Sequence, residues 1–224
     1  MQNKKPLIAI NFKTYESASG KEAVELAKIC DTTAKEAEAN VIVCVQASDI
    51  HFVQSEVSIP VYAQHLDGVD FGSHTGKILA DSVRENGGSG TLLNHSEDQY
   101  EPAALMQAHE HAKAEKLQTI ICAGTLARAV EVAKLNPDFV AFEPPELIGG
   151  DVSVTTKPEL ITQVINQIRA VNTECGILVG AGVKVAEDVR VALQLGCAGV
   201  LLASGITKAN DPKSALLDLI EGTK

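Results

Sequence analysis

Hydrophobic residues gather into eight short runs along the chain, at residues 6 to 10, 41 to 45, 59 to 63, 90 to 94, 118 to 122, 138 to 142, 176 to 180 and 198 to 202. Each run is short and β-branched or Leu-rich, the pattern of a buried parallel strand. Between the runs, apolar positions return at helical spacing, as at Ala23, Leu26, Ala27 and Ile29 to Cys30, and again at Leu160, Ile161, Val164, Ile165 and Ile168. The segment from 48 to 56, Ser48-Asp49-Ile50-His51-Phe52-Val53-Gln54 and onward, is short for the second helix. Strand and helix therefore alternate, with Pro or Gly breaks where strands meet helices. Eight βα units in 224 residues predict a closed (β/α)8 barrel, one domain over residues 1 to 224, with an open doubly wound sheet as the alternative.

Composition narrows the class. With 45% hydrophobic and 21% charged residues the chain is globular, and no apolar run is long enough to span a bilayer. The start, Met1 to Pro6, leads directly into Leu7-Ile8-Ala9-Ile10, too short for a signal h-region, so a cytoplasmic location is expected. Cys30, Cys44, Cys122, Cys175 and Cys197 form no CxxC pair and have no His at ligand spacing, which fits buried, reduced thiols. A net charge of −10 without a basic stripe argues against nucleic acid or an anionic membrane as partner. An anionic substrate would then need a local device to hold it.

In a barrel the chemistry collects on the loops that follow the strand C-termini. The run ending Ala141-Phe142 is followed by Glu143, Pro144, Pro145, Glu146, Leu147, Ile148, Gly149 and Gly150. Prolines forbid extension of the strand and glycines can absorb a backbone rearrangement, so Glu143 is expected at a strand end beneath a short hinged lid. Taken alone, the segment also fits a solvated Glu in a rigid turn. The first run leads into Asn11-Phe12-Lys13, where alternation would put Asn11 and Lys13 on one side and offer an ammonium to an anion. The fourth leads into Asn94-His95-Ser96-Glu97, which places His95 at the start of a helix, where the dipole disfavours imidazolium. Gly180-Ala181-Gly182 and Ala203-Ser204-Gly205 follow the last two runs, where barrels often cradle phosphate with backbone N–H groups.

Taken together and in order, these segments resemble the triosephosphate isomerase family, and specifically its short archaeal form. The match runs through nearly the whole chain: Asn11-Phe12-Lys13, His74-Thr75-Gly76-Lys77, Leu93-Asn94-His95-Ser96-Glu97, Ala141-Phe142-Glu143-Pro144-Pro145, and Cys122 after the fifth run. The resemblance implies interconversion of dihydroxyacetone phosphate and D-glyceraldehyde 3-phosphate through an enediolate, in glycolysis and gluconeogenesis, with no cofactor and no metal. It implies Glu143 as the base, His95 as a neutral electrophile and Lys13 as the cation for phosphate and enediolate. Asn11, Ile148, Gly149, Gly182, Ser204 and Gly205 are implied in substrate binding, and Glu97 and Thr75 in support. It further implies a homo-oligomer, a tetramer more than a dimer, with Thr75 and Gly76 in a third loop that reaches a neighbouring subunit. The chain departs from the family at Asp98-Gln99, where many members carry two basic residues, so an ion pair made there must be absent or replaced. Another phosphate-binding barrel, an isomerase or lyase of amino-acid biosynthesis, shares the fold and the glycine turns. The set Lys13, His95 and Glu143 separates the two readings. A non-catalytic barrel would be expected to have lost one of the three.

Overall fold

A computed structural model describes residues 5 to 148, 150 and 152 to 224. Eight parallel strands close into a barrel in sequence order: β1 (Leu7–Asn11), β2 (Asn40–Val45), β3 (Val61–Ala63), β4 (Gly90–Leu93), β5 (Gln118–Ala123), β6 (Phe139–Phe142), β7 (Gly176–Val179) and β8 (Gly199–Leu202). The register that closes it pairs Leu7 with Gly199 and Ile10 with Leu202. The open sheet is thereby excluded, because β1 finds β8 as well as β2. Around the strands lie α1 (Lys21–Glu36), α2 (Ile50–Gln54), α3 (Ala80–Glu85), α4 (Pro102–Ala114), α5 (Leu126–Ala133), α6 (Pro158–Arg169), α7 (Ala186–Gln194), α8 (Ser204–Thr207) and α9 (Pro212–Glu221). The short second helix is a 3-10 turn, Ala47–Asp49, running into α2.

Strand boundaries differ from the apolar runs by a residue or two, for local reasons. β3 starts at Val61 because Pro60 has no N–H to give the ladder, although its carbonyl still accepts from Val43 N–H at 3.2 Å. β4 stops at Leu93 because Asn94 turns left-handed, with φ 58°. Among the described residues no helix is long and apolar enough to cross a membrane. All five cysteines are free and buried.

Two apolar layers hold the barrel. Inward-facing Leu7, Ala9, Ile42, Cys44, Tyr62, Leu92, Ile120, Ala141, Leu178 and Leu201 fill its interior, and the alternate residues of the same strands pack outward against the helices. This explains the unbroken apolar runs, since neither face of a strand meets water. The helices bury the faces that their spacing predicts, Ala23, Leu26, Ala27 and Cys30 on α1 and Ile161, Val164 and Ile168 on α6. Large and small residues are matched at the floor of the barrel: a Cβ on Gly90 would sit 2.5 Å from the Tyr62 ring and 2.6 Å from the Gln118 carbonyl oxygen. The ring cannot retreat, because its hydroxyl is hydrogen-bonded to the Gln118 side chain and the residue is buried. Gly90→Ala is therefore expected to destabilise the protein by about 1–3 kcal/mol through overpacking. A lowered urea midpoint with an unchanged slope would show this, and a midpoint equal to wild type would mean that the floor has slack.

Candidate active site

The C-terminal ends of β1, β4 and β6 bring three of the anticipated groups together. Lys13, His95 and Glu143 line one cavity with Asn11, Tyr15, Ile148, Gly182 and Ser204. The cavity measures about 40 Å³.

Lys13 is not placed by strand alternation. Its backbone is left-handed, with φ 51°, which a lysine adopts only when its surroundings hold it there. The holding groups are specific. Asn11 Oδ1 accepts from Lys13 N–H at 3.0 Å, and Gln64 Nε2 donates both to Lys13 O at 2.9 Å and to Cys44 O at 3.1 Å. The side chain is 13% exposed, and its Nζ meets Glu97 Oε1 at 2.6 Å, which joins the loops after β1 and β4.

His95 does not begin a helix. The following helix, α4, starts at Pro102, and residues 95 to 98 form a single turn closed by Asp98 N–H to His95 O at 2.9 Å. A helix dipole is thus not what sets the ring. Instead, Glu97 N–H points at His95 Nδ1 at 3.2 Å, so Nδ1 offers a lone pair and the ring proton resides on Nε2. Nε2 faces Glu143 Oε2 at 3.6 Å, too far for a hydrogen bond but within reach of the same small fragment. Asn94 aims this turn. Its Nδ2 donates to Cys122 O at 2.8 Å, and its Oδ1 accepts from Tyr100 N–H at 3.2 Å and from Arg128 at 3.3 Å.

Glu143 follows the last residue of β6 and keeps a ladder bond, its N–H donating to Ala123 O at 3.0 Å. Its side chain occupies the space left by Gly180, where a Cβ would lie 2.6 Å from Oε1. It is 7% exposed, and among the described residues Oε2 has no hydrogen-bond partner. Burial raises its pKa above the ordinary value, offset in part by the neighbouring His95 ring, the Lys13 ammonium and the Cys122 thiol, which donates to the carboxylate.

The remaining candidates divide. Asn11, Ile148, Gly182 and Ser204 line the cavity, and Glu97 supports Lys13. Ser204 and Gly205 open α8, so their N–H groups precede its first bonds, Ile206 and Thr207 N–H to Ala203 O at 3.0 Å. Gly205 sits behind this turn, against the Val183 carbonyl. Thr75 is exposed in the loop between β3 and α3 and does not line the cavity. Gly149 lies outside the described residues. Gly182, with φ 72°, lies under the covering loop: a Cβ there would fall 2.2 Å from Val152 O. Val154 N–H to Ala181 O at 3.0 Å fixes the same contact. Asp98, at the departure from the family pattern, meets His65 Nδ1 at 2.9 Å, and that ring stacks on Tyr100 at 4.8 Å. The Asp98–His65 pair joins the third and fourth loops. Sequence reasoning missed Gln64 and the role of Asn94; the available signal was a polar side chain directly after each apolar run.

Fold and cluster together define the class, a (β/α)8-barrel enzyme with acid–base groups at the C-terminal mouth. A family model described as triosephosphate isomerase matches residues 6–223. The chain is 44% identical over 216 residues to the triosephosphate isomerase of Methanothermobacter thermautotrophicus, covering 96% of this chain and 94% of that one. It is 44% identical to that of Methanosarcina barkeri, covering 96% and 97%, and 41% identical over 217 residues to that of Methanothermus fervidus, covering 96% and 98%. The chain belongs to the triosephosphate isomerase family. It is accordingly an intramolecular aldose–ketose isomerase.

The raised pKa of Glu143 makes a stability claim with a definite sign. Below the ordinary carboxylate range both folded and unfolded chains carry it neutral. As pH rises the unfolded chain ionises first, so Glu143 lowers folding stability progressively until pH passes its folded pKa. Glu143→Gln is expected to unfold at a higher temperature than wild type at pH 7, with the difference shrinking toward pH 4. Equal melting temperatures at both pH values would contradict it.

Proposed function

We propose that Glu143, His95 and Lys13 together carry the interconversion of dihydroxyacetone phosphate and D-glyceraldehyde 3-phosphate, a step of glycolysis and gluconeogenesis. The observation that supports these roles most directly is Glu143 Oε2, buried and without a hydrogen-bond partner among the described residues, 3.6 Å from an imidazole Nε2. A carboxylate raised in pKa by burial is a stronger base than one in water. Glu143 takes the proton from one carbon of the substrate and returns it to the neighbouring one. The developing oxyanion is met by the Nε2 proton of neutral His95 and by the Lys13 ammonium, without which a carbon acid beside a carbonyl is far too weak to ionise. The pairing of a Glu base with a neutral His is the known pattern of the triosephosphate isomerase family, and the two roles are carried over from it to Glu143 and His95. Asn11 holds Lys13, and Glu97 fixes its ammonium and supplies the N–H that sets the His95 tautomer. The backbone at Ile148 and Gly149, Gly182, Ser204 and Gly205 receives the phosphate, for which the α8 N-terminal N–H groups and the glycine turn offer donors.

The protein works in the cytoplasm as a homo-oligomer, a tetramer by its kinship with archaeal members. Phe71, 77% exposed in the third loop beside Thr75, supports a partner there, and sedimentation reads the assembly directly.

Glu143→Gln should fold and lose at least ~10³-fold in kcat, the amide being unable to take the proton. His95→Asn should lower kcat more than it raises KM, because its hydrogen bond strengthens toward the enediolate. Turnover of D-glyceraldehyde 3-phosphate in a coupled assay decides both. Wild-type kcat in Glu143→Gln would remove that residue from the mechanism.

A further inference from the structure

The charges at the cavity present a difficulty for an anionic substrate. Among the described residues lining it, Lys13 is the only lysine or arginine, and its ammonium is already paired with Glu97 at 2.6 Å. Glu143 must be ionised to act as base. With the Lys13 ammonium held by Glu97, an ionised Glu143 gives the cavity a negative field, on a chain of formal charge −10. A phosphate monoester carries close to two negative charges at neutral pH and would approach against this field.

The geometry points to Lys208 as a second, outer cation that captures the phosphate group of the substrate at the rim of the cavity and delivers it to the α8 turn. This rests on the isomerase reading and extends it to substrate capture. Lys208 directly follows α8, the element that brings Ser204 to the cavity, and its N–H donates to Ser204 O at 3.2 Å. Its Nζ stands 4.6 Å over the ring of Tyr15, which also lines the cavity. A cation over an aromatic face is held in place without being neutralised, unlike Lys13 beside Glu97. The platform itself is fixed, because Ser17 Oγ donates to Thr207 O at 2.5 Å and so ties the loop after β1 to the end of α8. Lys208 is exposed, so its attraction acts through solvent and must be screened by salt.

The test compares wild type with Lys208→Met, Lys208→Arg and Tyr15→Leu, at ionic strengths of about 0.01 M and 0.3 M. With D-glyceraldehyde 3-phosphate at low salt, Lys208→Met is expected to lower kcat/KM by roughly 3- to 10-fold, mostly through KM, and the gap should close at high salt. Lys208→Arg should restore most of the loss, and Tyr15→Leu, which keeps the charge but frees it, should lie between. The ratio of activity on glyceraldehyde 3-phosphate to activity on phosphate-free glyceraldehyde should fall in Lys208→Met. A turnover-free arm measures the affinity for inorganic phosphate by calorimetry at low salt, where Lys208→Met should bind several-fold more weakly. Equal phosphate affinity, or a loss of activity that is the same at both salt concentrations and on both substrates, overturns the assignment of Lys208. An inert wild type would instead overturn the isomerase reading, and the phosphate arm would still decide Lys208.

Discussion

A carboxylate held out of water beside its own strand end is the constraint around which the mouth of this barrel is organised. Burial disfavours the charge of Glu143, and would expel or neutralise the carboxylate if nothing opposed. Three neighbouring elements supply the opposition: the Cys122 thiol from β5, the His95 ring after β4 and the Lys13 ammonium after β1. A fourth, Gly180 after β7, contributes by having no side chain, so that the carboxylate has somewhere to stand. Glu97 works the other way, raising the Glu143 pKa while anchoring Lys13. The outcome is a carboxylate that stays ionisable yet poorly solvated. Barrel closure is what allows elements so far apart in sequence to meet at this one carboxylate.

The backbone records the same tension. Among the described residues six non-glycine positions have positive φ. Glu38, Lys116 and Asn136 lie just beyond the ends of α1, α4 and α5, where a left-handed residue is an ordinary way to stop a helix. Lys13, Asn94 and Ala181 lie just beyond β1, β4 and β7, where no helix needs stopping. Each of these three aims or adjoins a cavity-lining group, and the compensating bonds at Lys13 and Asn94 come from side-chain amides: Asn11 and Gln64 for the first, Asn94 itself for the second. Strain that the fold over-determines in this way clusters where chemistry requires a fixed direction.

These particulars explain what could be read from the sequence and what could not. Strands buried on both faces leave unbroken apolar runs, so all eight were visible, and the polar residues following β1, β4 and β6 disclosed Lys13, His95 and Glu143. The conformation of Lys13 was not visible, because lysine has no intrinsic reason to be left-handed; Gln64 imposes it from β3, across β2, and only the strand order reveals that proximity. The expectation of a helix start at His95 failed at a legible signal. Pro102 is suited to the first turn of a helix, and it stands far enough beyond His95 to leave room for a turn and an extended link before α4. At Gly182 the residue type was informative but its use was not: the missing side chain makes room for Val152 and Ser153 of the covering loop, a contact between β6 and β7 connections that spacing cannot show.

Loop contact and the cavity wall place related demands on that turn. Ala181 and Gly182 are left-handed in succession, with φ 75° and 72°, and the first of them gives its carbonyl to Val154 N–H. While the covering loop rests on Gly182, Ile148 also stands in the cavity wall. The Ala181–Gly182 turn therefore meets two neighbours at once, the covering loop above it and the cavity that Glu143 and His95 line. The covering loop starts stiffly at Pro144-Pro145 and turns through a 3-10 segment with Leu147 buried, which leaves the Glu143 backbone on its ladder bond to Ala123.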